Sequence, residues 1–187
     1  MKKFELTAES KINIFGKKLF RIKALISFGD VEEGETGGWI EKEENLEQSS
    51  GDAWVYGNAE VYGNARVYGN AWVSGNARVS GDAEVSGNAW VYGNAEVYGN
   101  ARVCGNAKVS GNADYTTIHG FGTQFRTTTF FQCEDKQIRV SCGCFLGTIP
   151  EFREQVKNTR EGKIAEEYLM IADLMEKHFV KEKESGE

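Results

Sequence analysis

Residues 51–116 read GDAWVY GNAEVY GNARVY GNAWVS GNARVS GDAEVS GNAWVY GNAEVY GNARVC GNAKVS GNADYT. The unit is Gly, Asn or Asp, Ala, a variable residue, Val, then Tyr, Ser or Cys; it is kept for ten hexads and decays in the eleventh. Ala and Val lie two apart and so share one face of a strand. Gly followed by Asn or Asp marks a corner. A Gly every six residues would cost a helix about 1 kcal/mol each time, so the unit is a very short strand plus a turn. Either a hairpin meander or a parallel coil could use it. The variable position decides between them. At a spacing of 18 residues it reads Trp54, Trp72, Trp90, Lys108 in one column, Glu60, Arg78, Glu96, Asp114 in a second, and Arg66, Glu84, Arg102 in a third. Rungs about 4.8 Å apart favour alternating charge and penalise like charges. A spacing of 12 gives no such order. Three hexads per coil, stacked in parallel, is therefore the expected architecture.

The hexads resemble the hexapeptide-repeat left-handed parallel β-helix, in which an aliphatic residue and a small residue four later point inward, as Val61 and Ala65 would here. The resemblance implies a mainly β fold and frequent homotrimers, and no single activity. FGDVEEGETGGWIEKEENLEQ (28–48) resembles the N-terminal cap of hexapeptide-repeat proteins of bacteria and their phages. DYTTIHG (114–120) and SCGCFLGTI (141–149), with the helices that follow, resemble a C-terminal module of phage and gut-bacterial proteins.

Outward from the repeat, residues 1–50 read as a β cap of two or three strands, with a turn at Gly37-Gly38, that covers the first coil's open edge. Residues 117–187 read as a β-hairpin around Glu134-Asp135-Lys136-Gln137 and two helices. Thr148 and Glu151 make a capping box with Pro150 in the first turn, ahead of Phe152 and Val156. Ile164, Tyr168, Ile171, Met175 and Phe179 form an amphipathic stripe. KEKESGE (181–187) reads as a solvated tail.

The whole chain has 187 residues, 22 Gly and one Pro, and a net charge of −6 with pI about 5.2. That balance argues against general nucleic-acid binding, which needs a basic footprint. There is no apolar run of membrane-spanning length. MKKFELTAES lacks the pattern of a secretory signal, so a cytoplasmic protein with reduced thiols is expected.

Catalytic chemistry is sparse. The β-helix resemblance raises coenzyme A-dependent acyl transfer, with a His as general base; His119 is the candidate, and no insertion leaves the coil to form a cleft. Two His cannot supply the three zinc ligands of the family's carbonic anhydrases. Cys142-Gly-Cys144 with Cys133 is a weak metal pattern. No cofactor and no metal are expected. The Trp54, Trp72, Trp90 ladder reads as an apolar strip that docks the C-terminal helices or a neighbouring subunit, with a stacking platform for a planar ligand as the alternative. His119, Arg126, Thr127, Thr128, Thr129 and Arg139, beside Phe130 and Phe131, combine hydroxyls, guanidiniums and aromatics suited to a phosphate-bearing ring compound. The expected function is a non-catalytic oligomeric binding protein, encoded by a phage or mobile element. It would hold a small anionic ligand, such as a nucleotide immune signal, or a host defence protein, at subunit interfaces. An acyltransferase and a purely structural oligomer are the alternatives.

Overall fold

A computed structural model describes residues 2–179; the stretch read as a solvated tail lies outside them. The hexads build ten two-residue strands that stack in three parallel columns. The first holds β4 (Trp54–Val55), β7 (Trp72–Val73), β10 (Trp90–Val91) and β13 (Lys108–Val109). The second holds β5 (Glu60–Val61), β8 (Arg78–Val79) and β11 (Glu96–Val97), and the third β6 (Arg66–Val67), β9 (Glu84–Val85) and β12 (Arg102–Val103). The registers join residues 18 apart, as the columns of the sequence require: Trp72 to Trp54 and Trp90, Arg78 to Glu60 and Glu96, Glu84 to Arg66 and Arg102. The chain is thus mainly β, a parallel solenoid with a C-terminal sheet and two helices.

Each corner turns on its glycine. Gly51 through Gly105 take φ between +59° and +71°, a region that a side chain disfavours. Space is short as well: a Cβ on Gly81 would come within 2.9 Å of the Gly99 amide nitrogen on the next rung. The residue after glycine forms its own ladder, with Asn70 Nδ2 donating to Asn88 and Asn88 Nδ2 to Asn106 at 3.2 Å. Asn in the hexad therefore both turns the corner and bonds rung to rung.

Every repeat Ala and Val from Ala53 to Val109 points inward and is at most 1% exposed. The interior is a dry column of small side chains with no room for a ligand, so binding must occur on the outside. Outside, the alternating columns form Arg78–Glu96 and Arg102–Glu84 ion pairs. Asp114 leaves its expected column and turns back onto the Ser110 and Gly111 amides, because the chain departs from the coil there.

The N-terminal part is more than a cap. β1 (Phe4–Ile12) and β2 (Lys18–Ala24) form an antiparallel ribbon, and β3 (Thr36–Ile40) joins β5 in parallel, Ile40 beside Val61. Leu46 then bridges Val67. The first coil thus starts before the hexads, with β3 and Leu46, and closes on β4 of the first hexad, which brings the solenoid to about four turns. Gly37 and Gly38 are not a turn. They lie inside β3, where added Cβ atoms would fall 2.6 Å from Ile22 and Val55 respectively, so the close approach of strand to coil requires glycine.

At the other end, β14 (Tyr115–Phe121), β15 (Arg126–Gln132), β16 (Ile138–Cys142) and β17 (Phe145–Thr148) form an antiparallel sheet, wider than the expected hairpin. Alternation gives it two apolar faces. Tyr115, Phe131 and Cys133 close the solenoid core. Phe130 and Val140 pack on α1 (Ile149–Thr159) and α2 (Gly162–Phe179). The Thr148–Glu151 capping box is present, and Tyr168, Ile171 and Met175 of the α2 stripe are buried. Among the described residues, no helix is long and apolar enough to cross a membrane.

Candidate functional site

Alternation along β15 and β16 separates the six residues expected to make one site. Thr129 faces the solenoid, where its Oγ1 accepts the Arg102 amide at 3.0 Å; the hydroxyl caps the end of a rung. Thr128 faces the helices, is buried, and donates to Cys142 Sγ at 3.2 Å. Neither hydroxyl is open to a ligand. His119 is an exposed residue of β14, with Nδ1 3.3 Å from Thr127 Oγ1. Arg139 lies on the solenoid side of the sheet, in a cleft of about 550 Å³ shared with Cys104 and Cys133. Asp135 pairs with it at 2.7 Å, and Glu134 and Glu151 line the same wall. An anion entering there meets three carboxylates and one neutralised guanidinium. Arg126 and Arg139 therefore do not act together.

Arg126 belongs to a different cleft, between the sheet and the helices. It is lined by Thr123, Gln124, Cys142, Cys144, Arg160 and Tyr168 among others, measures about 120 Å³, and leaves both Arg126 and Arg160 exposed to solvent. Its wall contains two guanidiniums and no carboxylate. Among the described residues neither Arg126 nor Arg160 has an acidic partner within ion-pair distance; Arg160 Nη1 donates to the Thr159 carbonyl at 2.8 Å. In a chain with six more acidic than basic residues this is unusual company. The wider clefts differ: Glu43, Glu44 and Glu47 line one, and Glu96 another.

Three elements position the cleft. β16 and β17 are joined by Gly143 and Cys144, with Gly143 at φ +62°. A Cβ there would sit 2.7 Å from Arg126 Nη1, so the missing side chain lets the guanidinium lie over the turn. Arg160 follows the end of α1. Tyr168 of α2 donates to the Phe121 carbonyl at 3.2 Å, and glycine at 122 leaves room for its ring. Burial pushes the Tyr168 hydroxyl above its ordinary value, an effect reinforced by the Cys142 thiol beside it and opposed by Arg160 and Arg126. At neutral pH it remains a proton donor. Two guanidiniums and two carboxamides give donors from several directions, which suits a compact oxyanion, while the Tyr168 hydroxyl is committed to the Phe121 carbonyl. The sequence singled out Arg126 alone; Arg160 and Tyr168 come from helices, where nothing in their spacing marks them.

The cysteines do not form one cluster. Cys133 is buried on the solenoid side, whereas Cys142 and Cys144 line the helix-side cleft. Among the described residues no three His, Cys, Asp or Glu side chains come together as metal ligands.

The Trp ladder is largely consumed within the chain. Trp54, expected at an interface, is fully buried: Phe4 and Phe28 pack edge-on at 6.1 and 5.4 Å. It cannot meet another subunit. Trp72 and Trp90 stack at 5.3 Å and 5°, and Lys108 covers the far face of Trp90 with Nζ at 4.8 Å. The Trp90 faces are taken, so the strip is not a platform for stacking a planar ligand.

The fold thus defines a solenoid of short coils with its open edges covered at both ends. Over residues 59–75, 71–87 and 77–93 the sequence matches a family model described as the YdcK beta solenoid repeat. The similarity lies within the hexads, over residues 59–93, and does not reach the flanking sheets or helices. No curated protein matches the chain.

Proposed function

We propose that this protein is a non-catalytic binding protein whose solenoid holds a C-terminal anion seat rigid. The observation that carries the reading is the Arg126–Arg160 cleft, with two guanidiniums and no carboxylate in its wall. A cleft volume of about 120 Å³, open to solvent, suits one phosphate, sulfate or carboxylate group; whole small-molecule sites run roughly 300–1,000 Å³. A nucleotide would insert a phosphate and leave its sugar and base outside. The seat is built within one chain, so holding the ligand needs no second subunit. Self-association is supported separately by apolar side chains on the outside, Ile12, Ile14 and Phe15 at the β1–β2 tip among them. The resemblance of the flanks supports a bacterial cytoplasm, and a phage or mobile element that sequesters a host signal.

Native mass spectrometry of the protein purified from bacterial cells with an active nucleotide-signalling defence tests this reading. An added mass of a few hundred daltons that disappears in Arg126→Gln supports it and identifies the ligand. The same adduct retained in both Arg126→Gln and Arg160→Gln would place binding elsewhere and overturn it.

A further inference from the structure

The anion seat shares its wall with a thiol. Cys144 is exposed at the β16–β17 turn, in the cleft that Arg126 and Arg160 line. Its neighbour Cys142 is half-buried and accepts the Thr128 hydroxyl. We propose that Cys144 is a modification site for anionic low-molecular-weight disulfides, which the two guanidiniums recruit by their carboxylates. The proposal rests on the anion-seat reading and names a ligand class for it: small acidic thiols, delivered as disulfides. In the step, the Cys144 thiolate attacks one ligand sulfur. A protein–ligand S–S bond forms, the ligand S–S bond breaks, and the leaving half departs with the electron pair as a thiolate that solvent protonates. The protein sulfur is oxidised and the departing half reduced, so no further oxidant is needed. The carboxylates of the retained half stay against Arg126 and Arg160.

The other thiols are poorly placed for this. Cys133 is buried against the solenoid core, and burial pushes its thiol to about 11. Burial also raises Cys104, which packs on the same core. Both lie on the far side of the sheet, beside Glu134 and Asp135, which repel an anionic reagent.

The test compares an anionic aromatic disulfide, 5,5′-dithiobis(2-nitrobenzoate), with a neutral one, 4,4′-dithiodipyridine, each rate being normalised to free cysteine. Peptide mapping assigns the labelled residue. At low salt the anionic reagent is expected to label Cys144 with a preference about tenfold above that of the Arg126→Gln/Arg160→Gln variant. Inorganic phosphate should slow the anionic reagent and leave the neutral one unchanged. Glutathione disulfide should add one glutathionyl mass at Cys144 and none in Cys144→Ser. A preference that the double arginine variant keeps, or labelling that falls mainly on another cysteine, would overturn the proposal. Phosphate binding to Cys144→Ser, followed by titration, isolates the anion seat: if that binding persists while the wild type shows no reagent preference at Cys144, the thiol proposal fails and the seat stands.

Discussion

Val79→Ala probes the dry interior on which the external placement of any site depends. Val79 is fully buried, with Val61 and Val97 directly below and above it in the column. The substitution removes two methyl-sized groups, about 1.6 kcal/mol at roughly 0.8 kcal/mol each. The rungs cannot close over the gap, because backbone bonds hold their spacing: Tyr62 donates to the Val79 carbonyl at 3.0 Å and Ser80 to the Val97 carbonyl at 2.9 Å. A residual cavity adds about 1 kcal/mol. The expected loss is therefore about 2–3 kcal/mol. Urea unfolding followed by tryptophan fluorescence would read it as a lower midpoint at unchanged slope. Val79→Thr keeps the shape but places a hydroxyl among Ala and Val side chains, at a cost of about 1–3 kcal/mol. A Val79→Ala loss under about 0.5 kcal/mol, the range of surface substitutions, would mean that the side chain is not enclosed and would refute the packed column.

Two further outcomes follow from particular contacts. Trp54→Ala should lose about 3–5 kcal/mol in the same assay, because it empties the space between Phe4 and Phe28, and Trp90→Ala less than half as much; equal losses would contradict the burial of one and the exposure of the other. Glu41 accepts the Gly63 amide at 2.6 Å and lies 3.2 Å from Lys17 Nζ, which holds its carboxyl below the ordinary value of 4.5. Its contribution is then fully present above that value and fades as the pH falls through the lower, folded one. Glu41→Gln should flatten the stability loss measured between about pH 5 and pH 3, and an unchanged acid limb would remove Glu41 from that role.

The coil could be read from the sequence because ten near-identical units leave one variable position, and its charges and tryptophans order only at a spacing of 18. The first coil was hidden because it lacks the Gly-Asn corner and is out of phase with the hexads: Ile40 and Leu46 are six apart and both buried, but Leu46 precedes Val55 by nine residues. Gly37-Gly38 reads as a turn in the sequence because closeness to Ile22 and Val55 is a tertiary fact that no local pattern carries. Thr128 and Thr129 looked like ligand hydroxyls, but a strand sandwiched between two cores turns alternate residues into each. The seat itself draws one residue from a strand, one from the end of a helix and one from a helix stripe whose spacing signals only packing.

Titration of the full chain with inorganic phosphate, followed by Arg side-chain resonances, addresses the anion seat most directly. Saturable shifts of Arg126 and Arg160 are expected, with affinity about 10- to 150-fold weaker in Arg126→Gln, the range of one charge-assisted hydrogen bond. Phosphate affinity equal in wild type and in the Arg126→Gln/Arg160→Gln variant would contradict the seat.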